Sequence, residues 1–296
     1  MKTTRLTVAI LALATNTVMA EDLVLTQFLT TETLQNGETK ELSSISRSSE
    51  HFGETEQALL DITTENATDK ATLILKEGGS FADGYIHTTI KNGVHFINNG
   101  TIDLYYKNFF GRDAYESIEL QAGSTMTNNG EYKGSVFVQN NSTLIVTEGS
   151  SLSNGKITLG SESGSSTGIL QIEGAVTINN AILGDNGVLI FEKGSTLTST
   201  KTITLNEVNI VVKVDDSVVV NPINTTLDLF GSDTTVEGLE NATFTLSNAD
   251  GTKKQKVIVS SAADGSITVT QAIPEPTTAT LSLLALCGLA LRRRRI

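Results

Sequence analysis

One short module recurs through the middle of this chain and limits what the chain can become. Two apolar residues two apart are followed three positions on by a small residue, and three further on by another apolar one. It reads Leu73, Leu75, Gly78, Phe81, then Ile118, Leu120, Gly123, Met126, then Leu144, Val146, Gly149, Leu152. Leu170, Ile172, Ala175, Ile178 and Leu189, Phe191, Gly194, Leu197 complete the series. Residues two apart face the same side of a strand. Gly and Asn accept the left-handed backbone that a tight corner needs. Asn-rich corners follow several copies, at Asn128-Asn129-Gly130, Asn154-Gly155 and Asn179-Asn180, and a further one, Asn98-Asn99-Gly100, follows Phe96. Stacking such corners lets their amides bond along the stack. The small residue returns every 26 residues at 123, 149 and 175, then after 19 at 194. A gap of 45 separates it from Gly78, and the aromatic-rich stretch 103–115 falls inside that gap.

This is the periodicity of a solenoid. The expected fold is all-β: a right-handed parallel β-helix with irregular coils, each coil adding about 4.8 Å of height. A β-sandwich is the competing architecture, since it also needs short strands and frequent turns. Residues 71–205 carry the repeats. Residues 21–70 are more polar, include an expected short helix at 54–60, and form an N-terminal cap region. Residues 206–272 form a C-terminal β region that closes the stack. Strands are expected there at 208–214, 217–220, 225–230 and 266–270, with a hairpin joining 243–246 to 257–260 across Asn248-Ala249-Asp250-Gly251.

Both termini read as sorting segments. Lys2 and Arg5, the apolar run 6–14 and the small residues before Ala20 make residues 1–20 a secretory signal peptide cut between Ala20 and Glu21. At the other end, Pro274, Glu275 and Pro276 precede an apolar run at 277–291 and the basic block Arg292, Arg293, Arg294 and Arg295. Alanine and leucine favour a helix there. Its fifteen residues span about 22 Å, short of the ~30 Å hydrocarbon layer, and the arginine stems can bridge the difference. Clustered Arg beside a membrane helix stays cytoplasmic, which places everything before Pro274 on the far side of the inner membrane.

Together, in this order, Pro274-Glu275-Pro276, the helix and the four arginines resemble the PEP-CTERM sorting signal of Gram-negative bacteria. The resemblance covers residues 273–296 only. It implies an exosortase-like membrane protease as partner, removal of the helix, and delivery to the outer surface or extracellular matrix. A plain tail anchor that is never cut is the alternative. The repeats in front also resemble the passenger regions of autotransporter adhesins, in pattern and not in any diagnostic residue.

Composition narrows the function classes. Without Lys2, Arg5 and the four terminal arginines, 15 basic residues face 33 acidic ones, a net charge near −18. Such an excess repels nucleic acid and anionic lipid. The one cysteine, Cys287, lies in the tail, so the exported domain has no disulfide, thiol nucleophile or Cys metal ligand.

A search for chemistry finds few candidates. Gly164-Ser165-Ser166-Thr167-Gly168 matches Gly-x-Ser-x-Gly, but a nucleophile elbow needs a following helix, and here a strand follows. His87 and His95 flank a turn at Lys91-Asn92-Gly93, yet two histidines without a placed carboxylate make a poor metal site. Glycan-cleaving enzymes need paired carboxylates at a set separation. Asp215-Asp216 is the only adjacent acidic pair in the strand-rich region, and strand neighbours face opposite sides. There is no Trp to grip a sugar, though the tyrosines near 105 can partly substitute. Sequons such as Asn66-Ala67-Thr68 and Asn241-Ala242-Thr243 are expected from composition. No catalytic, cofactor-binding or metal-ligating residue is assigned. The expectation is a non-enzymatic structural or adhesive surface protein that contacts extracellular polysaccharide. A β-helix lyase or hydrolase is the alternative.

Overall fold

The computed structural model describes residues 20–51, 56–107, 113–160, 167–179, 181–183, 187–261 and 266–273. The chain is mostly β, in short strands that bury every second side chain. In Ser142–Thr147 and Gly168–Glu173, Leu144, Val146, Leu170 and Ile172 are buried while Thr143, Ile145, Ile169 and Gln171 face partly outward. Strand alternation places the β-branched residues on a pleated surface that suits them.

The strands form two large sheets, and the chain alternates between them. The smaller has nine described strands in chain order, all parallel: Leu29–Leu34, Ala58–Thr64, Ile86–Ile90, Ser117–Leu120, Ser135–Val138, Ile157–Leu159, Ala181–Leu183, Thr202–Leu205 and Thr235–Glu237. The larger is parallel until its last strands. Inward residues stack in columns. Leu73, Phe96, Met126, Leu144, Leu170, Leu189, Ile210 and Phe244 are successive partners and all are buried. Each such side chain contributes about 1.5–3 kcal/mol of burial. These columns are the core, in a described chain that has no cysteine.

The first strands of both sheets, Glu21–Leu25 and Leu29–Leu34, come from the region expected to be a cap. Among the described residues these strands pair on one side only, and the end they form carries inward charge. Glu32 and Lys40 both sit at inward positions, and Lys40 Nζ lies 2.7 Å from Glu32 Oε1 and also contacts Glu21. At the other end antiparallel pairing replaces parallel pairing. Thr243–Ser247 and Lys254–Ser261 form the expected hairpin, and Ile267–Ile273 pairs antiparallel beside it.

Three local expectations are corrected. Within 54–60, residues 58–60 belong to the strand Ala58–Thr64, because Ala58, Leu60 and Ile62 alternate into the core. Residues 217–220 are not a strand but lie in the helix Asp216–Val220. There Asp215 takes the N-cap position, Asp216 suits the positive N-terminal end, and Pro222 follows the C-cap Asn221. Of 225–230 only Thr226–Leu227 is a strand, while Phe230 makes an isolated bridge to Leu197.

The repeat also has a phase the sequence hides. Three copies turn between strands of the larger sheet and Leu73–Phe81 bends within the single strand Ala71–Phe81, whereas Ile118–Met126 crosses from the smaller sheet to the larger. In the fourth copy the left-handed residue is Gly174, one position before Ala175.

Among the described residues no helix is long and apolar enough to cross a membrane. The expected span at 277–291, the signal segment before Ala20, Pro274, Glu275, Pro276, Arg292, Arg293, Arg294 and Arg295 lie outside the described residues. Ala20 directly precedes the first strand and Glu21 opens it.

Candidate functional site

The outward face of the smaller sheet gathers two glutamates and a serine around one histidine ring. Its centre is His87, on Ile86–Ile90, with an outward, half-buried ring. Neighbouring backbone brings Glu116 and Glu119 to opposite sides of that ring. Glu116 Oε2 lies 3.6 Å from Nδ1 and Glu119 Oε1 lies 3.5 Å from Nε2. Ser117 Oγ is 3.3 Å from Nδ1. Both carboxylates are themselves held: Gln57 Nε2 donates to Glu116 at 3.0 Å, and Gln121 Nε2 donates to Glu119 at 2.8 Å. Asp61, one strand away, binds Lys91 Nζ at 2.8 Å. The Glu116 carboxylate beside Nδ1 raises the His87 pKa above its ordinary value; burial opposes this, and the charges of Glu119 and Asp61 reinforce it.

Aromatic rings flank this cluster. A two-stranded excursion, Tyr105–Lys107 with Asp113–Tyr115, leaves the stack just before Glu116. It lays Tyr106 against Tyr85, with ring centroids 5.3 Å apart at 57°. Behind Tyr85 the Arg47 guanidinium carbon sits 4.7 Å from the ring centroid. Arg47 Nε reaches both oxygens of Asp83, at 3.0 and 2.9 Å, and Asp83 accepts the Tyr85 backbone N–H at 3.1 Å. Arg47 and Asp83 are largely buried, so this pair is a fixed buttress and not a loose surface bridge. Burial, with Glu116 and Tyr85 nearby, raises the Tyr106 pKa.

The resulting belt runs from Arg47 through Tyr85, Tyr106, Glu116 and His87 to Glu119. Ring faces offer flat apolar contact, and carboxylates accept hydroxyl hydrogen bonds. The imidazole can exchange a proton near neutrality. That combination suits a polyhydroxylated ligand such as a sugar.

The histidine pair considered from sequence does not form. Asn92 and Gly93, both at positive φ, turn the chain onto the other sheet, where His95 bonds Thr127 Oγ1 at 2.8 Å. His51 lies in an exposed turn against Ser48. Asp215 and Asp216 part company: the first binds Lys193 at 2.8 Å, the second Lys253. Gly164, Ser165 and Ser166 lie outside the described residues, and Gly168 opens a strand, not a helix. Among the described residues no three His, Cys, Asp or Glu side chains form a metal-holding group.

Sequence reasoning missed Glu116 and Glu119, because neither is adjacent to another acid. The available signal was register. Pairing Ile118 with Thr88 sets His87 beside Ser117 and Thr89 beside Glu119. Comparison with protein-family models, curated proteins and solved structures finds no match.

Proposed function

We propose that this chain is an exported, non-enzymatic structural or adhesive protein of the cell surface or extracellular matrix. Its body is a right-handed parallel β-helix, and its tail is a PEP-CTERM-like signal cut by an exosortase-like membrane protease. One observation carries the reading: nine strands of one sheet pair in parallel, in chain order, with inward columns in register. Such pairing supports the β-helix over the β-sandwich, whose sheets are antiparallel. Nine layers at about 4.8 Å give a rod of roughly 40 Å. A stiff acidic rod is suited to spacing and scaffolding, and the tyrosine–carboxylate belt supplies a place for extracellular polysaccharide to rest.

The test is mass spectrometry of the C-terminus from cells with and without the sorting protease. Loss of the apolar helix only when the protease is present supports the reading. An intact terminus at Ile296 in both leaves a plain anchor.

The Glu116–His87–Glu119 arrangement favours a second reading, a β-helix enzyme acting on polysaccharide. Incubation with matrix glycans and measurement of chain length separates the two. Chain cleavage that disappears in Glu116→Gln or Glu119→Gln overturns the non-enzymatic reading.

A further inference from the structure

The acidity that repels anionic lipid is not spread evenly over the molecule. On the strand Lys254–Ser261, Lys254, Lys256 and Ile258 share one exposed face. The backbone of Lys256 accepts from Gln255 Nε2, but neither lysine's ammonium group has an ion-pair or hydrogen-bond partner among the described residues. Ile273, 42% exposed, pairs directly opposite Lys256, and Ile258 is 45% exposed. Val220, 65% exposed, lines a depression with Lys254. Lys256, Ile258 and Ile273 line a neighbouring groove of about 290 Å³ with Glu240 at its side. Cations interleaved with exposed aliphatic groups form a face that favours a lipid headgroup boundary.

Its place in the chain identifies the occupant. Ile273 ends the last strand, and the apolar run begins at residue 277. The three intervening residues reach at most about 14 Å when extended. Any membrane holding that run therefore lies close beside this face. We propose that the outward face of the last two strands, with Val220, rests on an anionic lipid surface while the tail is inserted. This rests on the reading of the tail as a membrane segment. Tethering makes even weak affinity sufficient, because the local lipid concentration is high. The acidic remainder is repelled by the same surface, so the rod is held by one end and points away.

The full chain, with Cys287→Ser, is inserted into phosphatidylglycerol or phosphatidylcholine vesicles containing a lipid-borne quencher. A fluorophore is placed by Ile258→Cys, or by Thr31→Cys in the first strand of the smaller sheet. Roughly threefold stronger quenching at 258 than at 31 in phosphatidylglycerol is expected, lost on Lys254→Glu with Lys256→Glu and reduced in phosphatidylcholine. Both lysines are exposed, so the reversal leaves the core intact. A chain stripped by carbonate overturns the insertion reading, and this proposal falls with it. A retained chain quenched equally at both positions overturns this proposal alone.

Discussion

Asn98 and Asn128 stack in successive strands of the larger sheet, both fully buried, with Asn98 Nδ2 donating to Asn128 Oδ1 at 2.7 Å. The remaining polar atoms close the corners. Asn98 Oδ1 accepts the Gly100 N–H at 3.1 Å, and Asn128 Nδ2 donates to the carbonyls of Gly130 and Ser151. Leu75 and Val146 hold the same column on either side, so valine fits the space. It would nevertheless leave buried backbone groups unpaired. Asn98→Val is expected to cost about 1–3 kcal/mol. The double change with Asn128→Val should cost less than the sum by roughly 0.5–3 kcal/mol, because one bond is shared. Urea unfolding of the four-member cycle measures this.

The corner glycines separate into two kinds. Gly123 has φ 73° and nothing within 4 Å of a side-chain position, so only backbone conformation resists substitution there. At Gly130 a Cβ would lie 2.1 Å from the Gly100 carbonyl oxygen of the preceding layer. Gly123→Asn is expected to be nearly neutral, and Gly123→Ala to cost about 1–2 kcal/mol. Gly130→Ala should be far worse, since backbone must move. Thermal unfolding ranks them, and equal losses at both positions would defeat the distinction.

The Lys40–Glu32 pair guards an open edge. Both side chains point inward at the end of the stack, where an apolar pair would extend the core to a surface ready to join another edge. Exposed Phe28 and Leu29 already stand there. Burial tends to lower the Lys40 pKa, but hydrogen bonds and charges from Glu21 and Glu32 prevail and raise it. Lys40→Met with Glu32→Leu is expected to keep the fold and promote association. Sedimentation velocity should show the wild type at a lower mass than the double variant at the same concentration. Identical profiles would remove the guarding role.

Much of this architecture was legible because apolar alternation and left-handed corners are local signals. Leu144, Val146, Gly149 and Leu152 announce two strands and the bend between them. The 45-residue gap was not legible, and Asn98 shows why. It occupies an inward position that the pattern reserves for an apolar residue, made tolerable by Asn128 one layer away and by the backbone of Gly100 and Glu131. Val218, Val219 and Val220 misled in the opposite sense. Their strand propensity yields to Asp215, Pro222 and the burial of Val219 against the closing strands. The belt was hidden for a third reason. His87, Glu116 and Glu119 meet through register between strands, which no single stretch of sequence displays.

His87 and His95 give a comparison of titration within one molecule. The neighbouring Glu116 carboxylate raises His87, whereas burial alone lowers His95. The groups facing His87 are Glu116, Glu119 and Asp61, the last already shared with Lys91. A raised folded pKa means that protonated His87 stabilises the fold fully below the ordinary histidine value of about 6.5. That contribution fades as pH rises through the folded pKa. Imidazole chemical shifts followed by NMR should place the His87 midpoint above 6.5 and that of His95 below it. Glu116→Gln should bring His87 back toward the ordinary value while leaving His95 unmoved. It should also flatten the fall in stability between about 6.5 and the His87 midpoint. A His87 midpoint unchanged by Glu116→Gln would show that the carboxylate does not control the ring.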